Sequence, residues 1–260
     1  YGTLRKSDVT GAVTSVKIDK NEAAQVASFD KLLQGHAAGV QVTTGNAAPG
    51  GAVSVKIRGT SSFNGTGEPL YVVDGIILNP SSQDVKNPLG STGQEAQNAL
   101  ASISPQDIAS MEILKDASAT AIYGSMGANG VVLINTKKGQ ADKTSVTFSN
   151  STTFSSPFVM PRFQNTYGNV SGSYQSWGDK TLRRFDPEGF FNTGSNVNNS
   201  LTFSTGTQKH QTYFSAATTN ARNILPNSGY NRYNFTFRDV TKFLKDKLTV
   251  DLSASYILQD

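Results

Sequence analysis

The sequence has no cysteine, few histidines and no concentration of charge. Each of these three features argues against a class of function. None of its 260 residues is cysteine, which excludes disulfides and thiolate zinc sites. Its two histidines, His36 and His210, lie far apart without ligand spacing around them, so we expect no metal site and no cofactor. The formal net charge of +4 is dispersed along the chain, which argues against a nucleic-acid surface.

Long apolar runs are also absent. No stretch approaches the ~18 apolar residues that a transmembrane helix requires. This absence leaves one membrane class open, because the strands of a transmembrane β-barrel carry only alternating segments of about 10 residues.

Glycines recur every third residue in "AIYGSMGANGVVLINTKKG", residues 121–139, at Gly124, Gly127 and Gly130. A dinucleotide-binding loop runs from strand through glycines to helix, whereas here a helix-like stretch precedes the glycines and a strand-like stretch follows. A P-loop would also need Lys-Ser or Lys-Thr after its last glycine, where Val131 and Val132 stand. The segment therefore predicts a tight helix-to-strand turn and no phosphate site.

Aromatic residues divide the chain into two parts. Only five lie in residues 1–143, and nineteen lie in residues 144–260. The first part mixes helix and strand patterns. Phe29, Leu32 and Leu33 have helical spacing, with Gly35 or Gly39 as a stop.

Strands are predicted where Val and Ile are concentrated, in "GVQVTT", "AVSVKIRG" and "LYVVDGIIL". Asp74 and Gly75 stand between two apolar runs and predict a tight turn. Ser104 and Pro105 predict a capped turn, followed by a short strand over 108–114 and then a helix.

The second part contains strand patterns only, with an apolar face and a polar face. "LTVDLSASYIL" alternates strictly, and "QTYFSAATTN" is strand-like with ambiguous faces. The apolar positions of the other strands are Val146, Phe148 and Phe154; Val197, Leu201 and Phe203; and Tyr233, Phe235 and Phe237.

The connections between these five strands alternate in length. About forty residues follow the first strand, whereas "TGTQKH" and "KDK" are short turns and "ARNILPNSG" is longer. Long loops and short turns at opposite ends are typical of an outer-membrane barrel. A soluble β-sandwich explains the alternation equally well, but it explains less well a polar face rich in Thr, Ser and Asn opposite an aromatic face on every strand.

Four segments carry a resemblance to a known family: "SDVTGAV" (7–13), "IRGTSSF" (57–63), "PLYVVDGIILN" (69–79) and "ISPQDIASMEILKDASATAIYGSMGANGVVLINTKKG" (103–139). They resemble the plug domain of SusC/RagA-family TonB-dependent outer-membrane transporters. The resemblance implies a mixed α/β plug domain over residues 1–140. It also implies that residues 144–260 are the first antiparallel strands, about five, of a 22-stranded transmembrane β-barrel.

The resemblance also implies partners: a SusD-like surface lipoprotein, TonB with ExbB and ExbD, outer-membrane lipid, and a glycan or peptide substrate. The opening "YGT" is similar to the end of the family's "GYGT" segment, which follows the TonB-contacting box. The family usually has arginine where Met126 stands. An arginine there could pair with barrel carboxylates, which Met126 cannot do; the alternative is that Met126 fills a packing gap.

No catalytic set is present, since the carboxylates Asp107, Glu112 and Asp116 have no histidine or nucleophile near them in sequence. In the family, the plug loops after "IRGT" and "DGIILN" face the extracellular cavity. Their polar side chains and single aromatic suit a sugar or a peptide backbone, although they are also typical of ordinary polar loops. The candidate substrate-facing residues are Ser61, Ser62, Phe63, Asn64, Glu68, Gln83 and Asn87.

A second candidate group is Arg58, Glu112 and Lys115, which could pair with charges on the barrel wall or form ordinary surface ion pairs. The leading hypothesis is therefore TonB-dependent import of a glycan or peptide, with no enzymatic activity. The alternative is a secreted β-rich adhesin or carbohydrate-binding module. Five strands cannot close around a plug, so we expect an open sheet and a longer natural protein.

Overall fold

The computed structural model describes residues 13–18, 23, 26, 29–44, 53–59, 67–78, 103–116, 120–181 and 186–260. None of the helices in these ranges has the length and apolar character required to cross a membrane. Two five-stranded sheets dominate the structure, one formed by residues 13–136 and one by residues 145–259. We call them the N-terminal sheet and the C-terminal sheet.

The N-terminal sheet has the strand order β1-β6-β7-β4-β5. Its β4 and β7 are parallel, and its other neighbours are antiparallel. A separate antiparallel hairpin is formed by β2 and β3. The strands of both are β1 (Val13–Val16), β2 (Val40–Thr44), β3 (Val53–Ile57), β4 (Leu70–Val73), β5 (Ile76–Leu78), β6 (Ile108–Leu114) and β7 (Val131–Thr136).

Several local predictions for this part are confirmed. The three Val/Ile-rich segments form β2 to β5, and the strand predicted over 108–114 is β6 with the same bounds. The predicted helix around Phe29 is a single 3₁₀ helix, Phe29–Leu33, after which Gly35 and Gly39 both have left-handed φ angles. Further 3₁₀ helices are Pro105–Asp107, Ala121–Gly127 and Glu188–Phe190.

The apolar core of this part lies against the N-terminal sheet. Phe29 and Tyr71 are fully buried, with ring centroids 6.0 Å apart in an edge-to-face arrangement. Met111, Ile113 and Ile134 complete the centre of the cluster. Burial of each large side chain contributes about 1.5–3 kcal/mol, so this cluster holds the 3₁₀ helix and the sheet together.

The C-terminal sheet is an antiparallel meander in the order β8-β11-β12-β13-β14. It is open, and no described strand pairs with the outer edge of β8 or of β14. The predicted forty-residue connection after β8 contains a small hairpin, β9 with β10. The bounds are β8 (Ser145–Ser155), β9 (Tyr167–Asn169), β10 (Ser176–Lys180), β11 (Gly194–Gly206), β12 (His210–Arg222), β13 (Gly229–Phe243) and β14 (Leu248–Gln259).

Burial in the C-terminal sheet is the reverse of burial in a water-soluble sheet. The face toward the N-terminal sheet is mainly polar, and the opposite face exposes aromatic and aliphatic side chains. Strand β12, whose two faces the sequence pattern did not distinguish, also has an exposed outward face. Its Tyr213 is buried on the inner face, and its Phe214 is exposed on the outer face. The buried polar residues are Asn198, Ser200, Ser204, Ser215, Thr219, Arg232, Asn234 and Arg238; outward residues include Phe148, Leu201, Phe203, Phe235, Phe237 and Leu252.

Candidate functional site

The interface between the two sheets is built from polar side chains, and Asp107 is its first anchor. Asp107 ends the 3₁₀ helix that Pro105 begins, directly before β6, and it is buried. Its carboxylate accepts hydrogen bonds from the Tyr213 hydroxyl at 2.9 Å and the Thr236 hydroxyl at 3.0 Å. Its backbone carbonyl accepts from the Lys137 amide at 2.7 Å. One residue thus ties β6 and the end of β7 to both β12 and β13.

Arg238 on β13 is the second anchor. Its side chain is only 5% exposed and reaches across the interface. Its guanidinium donates in bidentate fashion to the Asp251 carboxylate on β14, with both N···O distances 2.8 Å. The same group contacts the Asp74 carboxylate at 2.9 Å and the Thr136 hydroxyl at 2.5 Å. The guanidinium fork therefore joins a carboxylate of each sheet, the arrangement for which arginine is better suited than lysine.

The turn geometry of the N-terminal sheet places Asp74 for this contact. Asp74 and Gly75 both have left-handed φ, 50° and 87°, as the two-residue turn between β4 and β5 requires. The Asp74 carboxylate also accepts from the backbone amide and the hydroxyl of Thr136, at 3.0 and 2.6 Å. Lys138 adds a second cation 3.2 Å from Asp251. Two carboxylates and two cations thus balance at this end of the interface.

The segment after β7 runs close to the C-terminal sheet. A β-carbon on Gly139 would lie 2.4 Å from the Thr212 amide nitrogen and 2.5 Å from the Thr205 carbonyl oxygen, so only glycine fits. The Gln140 amide donates to the Ser204 hydroxyl at 3.2 Å, and the Ser200 hydroxyl contacts the Gln106 side chain. A crevice of about 190 Å³ remains between the sheets, lined by residues that include Gln106, Lys137, Thr147, Ser149 and Thr202. Apolar side chains, among them Ile18 and Ile108, form the rest of the lining, and the polar side chains can hold water.

Most of the residues predicted to face substrate lie outside the described residues: Ser61, Ser62, Phe63, Asn64, Gln83 and Asn87. Glu68 is described, and it is half-buried near the fully buried Asp30. Burial, and then the Asp30 charge, raise the pKa of the Glu68 carboxyl, while Lys56 opposes the shift. A role for these residues in substrate contact stays a prediction.

The three residues predicted to pair with a barrel wall have partners or neighbours within the N-terminal part. Arg58 contacts the Asp116 carboxylate at 2.5 Å, and the Lys115 ammonium donates to the Ala38 carbonyl at 2.5 Å. Glu112 lies in β6 opposite Ser15 of β1. Their pairing with the wall stays a prediction, whereas Arg238, Asp74 and Asp107 carry the contacts that the structure describes.

The three spaced glycines have different constraints. Gly124 and Gly130 have left-handed φ angles of 58° and 92°, and a β-carbon on Gly130 would lie 2.7 Å from Ile57 Cδ1. Gly127 does not have a left-handed φ angle. A β-carbon on Gly127 would lie 3.0 Å from the Thr120 carbonyl oxygen, so lack of space favours glycine here. Met126 is 58% exposed within the described residues, and both suggestions for its role toward the barrel stay predictions.

Sequence reasoning missed Arg238 and underrated Asp107. One signal was present for Asp107: it directly precedes a buried strand, where a carboxylate needs a partner. Among the described residues no three His, Cys, Asp or Glu side chains are grouped so that they could hold a metal ion. Hydroxyl, carboxylate and guanidinium groups joined in this way hold two surfaces in register and can separate again when water replaces the contacts.

Comparison with known proteins agrees with this architecture. Residues 5–131 match the family model described as TonB-dependent Receptor Plug Domain. The whole chain therefore combines a plug domain of the TonB-dependent receptor class with antiparallel strands that follow it.

Individual relatives indicate which type of TonB-dependent receptor this chain resembles. The TonB-dependent receptor SusC of Bacteroides thetaiotaomicron is 30% identical over 99% of this chain and 25% of its own length. The TonB-dependent receptor P3 of Formosa agariphila is 35% identical over 96% of this chain and 24% of its own length. The chain is also similar to a structure of the RagAB peptide importer in the open-open state, with 26% identity and a TM-score of 0.76. The aligned region covers 100% of this chain and 31% of the chain in that structure.

The chain belongs to the SusC/RagA-type TonB-dependent receptors. It spans about a quarter of the length of the curated relatives that it matches.

Proposed function

We propose that this protein takes part in TonB-dependent import of a glycan or peptide nutrient across the bacterial outer membrane. In this proposal the N-terminal sheet belongs to a plug, the C-terminal sheet is part of the surrounding wall, and the plug gates the passage. TonB, with ExbB and ExbD, supplies the energy, and a SusD-like lipoprotein delivers the substrate. No chemical conversion of the substrate is involved.

The polar interface between the sheets is the observation that carries this proposal. A plug that must move needs contacts that water can replace, and Arg238, Asp107 and their hydroxyl partners provide such contacts. A continuous apolar interface of the same size would expose hydrophobic surface on each movement.

The exposed face of the C-terminal sheet argues against the alternative of a secreted adhesin. Phe148, Leu201, Phe235 and Leu252 are exposed together with the other outward side chains. An apolar face of this extent is unfavourable in water and favourable in lipid, where the polar inner face is then shielded.

A deletion strain of the native bacterium tests the proposal. We expect loss of growth on one glycan or peptide in a panel, restoration by the wild-type gene, and no restoration when TonB is inactivated. The wild-type protein should also require detergent for solubility and migrate anomalously on a gel until it is heated. A protein that is soluble without detergent, or growth that is independent of TonB, would contradict the proposal.

A further inference from the structure

The connection between β8 and β11 carries an exposed pair of aromatic rings. Tyr167 on β9 and Trp177 on β10 have ring centroids 5.8 Å apart and an interplanar angle of 43°. Trp177 is 72% exposed, and Tyr174 at the turn between the two strands is fully exposed. Large aromatic side chains at such exposure are unfavourable in water unless something covers them.

A bulge in β10 directs Trp177 outward. Ser176 lies opposite Asn169, and Lys180 lies opposite Tyr167, so three residues of β10 face the single residue Gly168 of β9. Extra residues of this kind re-aim a side chain and recur next to functional sites.

The backbone at this bulge is strained at Trp177. Trp177 has a φ of 80°, a conformation that glycine adopts easily and tryptophan does not. Gly178 follows it, and a β-carbon there would lie 2.6 Å from the Asn169 carbonyl oxygen. The strained conformation is therefore occupied by a bulky ring although a glycine stands beside it, and strain of this kind clusters at active sites and ligand clamps.

The hairpin is also held rigidly. The Gln164 side chain accepts from the amides of Thr166 and Tyr167, both at 3.0 Å, and donates to the Tyr167 carbonyl at 2.7 Å. Across the turn, the Val170 amide donates to the Gln175 carbonyl at 3.0 Å. A ring pair fixed in this way loses little conformational entropy when it binds a ligand.

The hairpin that carries the rings has no net charge, which suits a neutral ligand. Within residues 167–180 only Asp179 and Lys180 are charged, and their adjacent opposite charges cancel. The remaining polar side chains are amides and hydroxyls, which suit hydroxyl groups as partners: Asn169, Ser171, Ser173, Gln175 and Ser176.

We propose that Trp177 and Tyr167 form a stacking platform for the pyranose rings of a neutral oligosaccharide. The apolar face of a pyranose presents C–H groups, which are attracted to the negative face of an aromatic ring. The two exposed rings are inclined to each other by 43°, so each ring offers its own face to one of two successive sugar rings of an oligosaccharide.

This inference rests on the proposed import function and selects glycan over peptide as the substrate class. The test uses the full-length protein in lipid nanodiscs free of lipopolysaccharide. Calorimetry measures binding of neutral hexasaccharides (α-1,4-, β-1,3- and β-1,4-linked glucans, xylan and mannan) and of neutral hexapeptides. The variants are Trp177→Ala and Trp177→Phe, and Phe158→Ala, a fully exposed aromatic of the same connection, is the control.

We expect at least one hexasaccharide to bind, and Trp177→Ala to weaken it about tenfold, with Trp177→Phe within about threefold of wild type and Phe158→Ala unchanged. Hexapeptide binding that depends on Trp177, absence of any hexasaccharide binding, or equal affinity of Trp177→Ala and wild type would overturn the platform.

TonB-dependent uptake, measured in parallel in cells, separates the two proposals. Uptake that needs TonB but is unaffected by Trp177→Ala contradicts the platform alone. Saccharide binding that needs Trp177 without any TonB-dependent uptake contradicts the import function alone.

Discussion

At the scale of single residues, Arg238 is the clearest test of how the two sheets are joined. Substitution by glutamine would leave Asp74 and Asp251 without their shared cation. Breaking a fully buried pair costs about 3–5 kcal/mol, and we expect about 2–3 kcal/mol here because Asp251 is partly exposed. Cells carrying Arg238→Gln should become more permeable to large antibiotics, measured by vancomycin sensitivity.

Arg222→Gln is a matched control for this prediction, since Arg222 is an exposed arginine at the end of the neighbouring strand β12. It should leave vancomycin resistance unchanged. Equal sensitivity of the two variants, at equal amounts of protein in the membrane, would mean that the Arg238 network does not secure the N-terminal sheet.

Glu68 gives a pH-dependent prediction. Because its pKa is raised above the ordinary 4.5, mainly by burial, the folded protein keeps this proton to higher pH than the unfolded chain does. The contribution of the protonated group to stability is present below pH 4.5 and is lost as pH rises through the folded pKa. Glu68→Gln should therefore flatten the decline of thermal stability above pH 4.5.

The control for this titration is Glu188→Gln, at an exposed glutamate in the connection between β8 and β11. It should keep the wild-type pH profile of the melting temperature. A Glu68→Gln profile that is parallel to wild type from pH 4.5 upward would refute the assignment.

At the scale of elements, substitutions of glycine can distinguish two reasons for its presence in the turn before β7: a left-handed φ angle and lack of space for a β-carbon. Gly130→Ala combines a left-handed φ with a β-carbon 2.7 Å from Ile57, whereas Gly172→Ala combines a similar φ with open space. The strain alone costs about 1–2 kcal/mol, and overpacking adds about 1–3 kcal/mol. Hydrogen exchange should therefore accelerate strongly at the β7 amides in Gly130→Ala and only slightly at the β9 and β10 amides in Gly172→Ala, whose turn joins those two strands.

Unchanged exchange of β7 in Gly130→Ala would count against close packing as the reason for this glycine. Gly127→Ala extends the comparison, because its constraint is contact with Thr120 and Tyr123 without a left-handed φ. A loss of β7 protection there would show that close approach alone requires glycine in this turn.

The elements differ in how far sequence could predict them. The bounds of β6 and the faces of β13 and β14 follow from alternation within one segment, which is local information. The faces of β12 were ambiguous because Tyr213 and Phe214 are adjacent aromatics on opposite sides, and only the Asp107 contact decides which side is inward.

The polar interface was beyond prediction because its partners are distant in sequence. Nothing near Arg238 in the sequence indicates Asp74, and the pair forms only when the turn after β4 is placed against β13. The hairpin of β9 and β10 was missed for a different reason: its bulge breaks the alternation on which strand prediction depends.

At the scale of the whole molecule, the two sheets form a joint that import would have to release. The side chains of Gln106 and Ser200 contact each other across this joint. The chain itself has no cysteine, so cysteines introduced at these two positions of the full-length protein can be linked by a bifunctional thiol reagent that reduction releases. We expect the linked protein to bind substrate normally and to lose TonB-dependent uptake, and reduction to restore uptake.

A pair within the C-terminal sheet provides the matched control, since Ala217 of β12 lies directly opposite Ser200 of β11. Cysteines at Ser200 and Ala217 use the same wall position and the same reagent but leave the N-terminal sheet free. Uptake should survive this second link. If both linked proteins transport equally well, the contact between Gln106 and Ser200 persists during import, and the moving part of the plug must lie elsewhere. If both fail, the wall itself has to flex around β11. The release step lies at the joint between the two sheets only if uptake is lost when Gln106 and Ser200 are linked and is retained when Ser200 and Ala217 are linked.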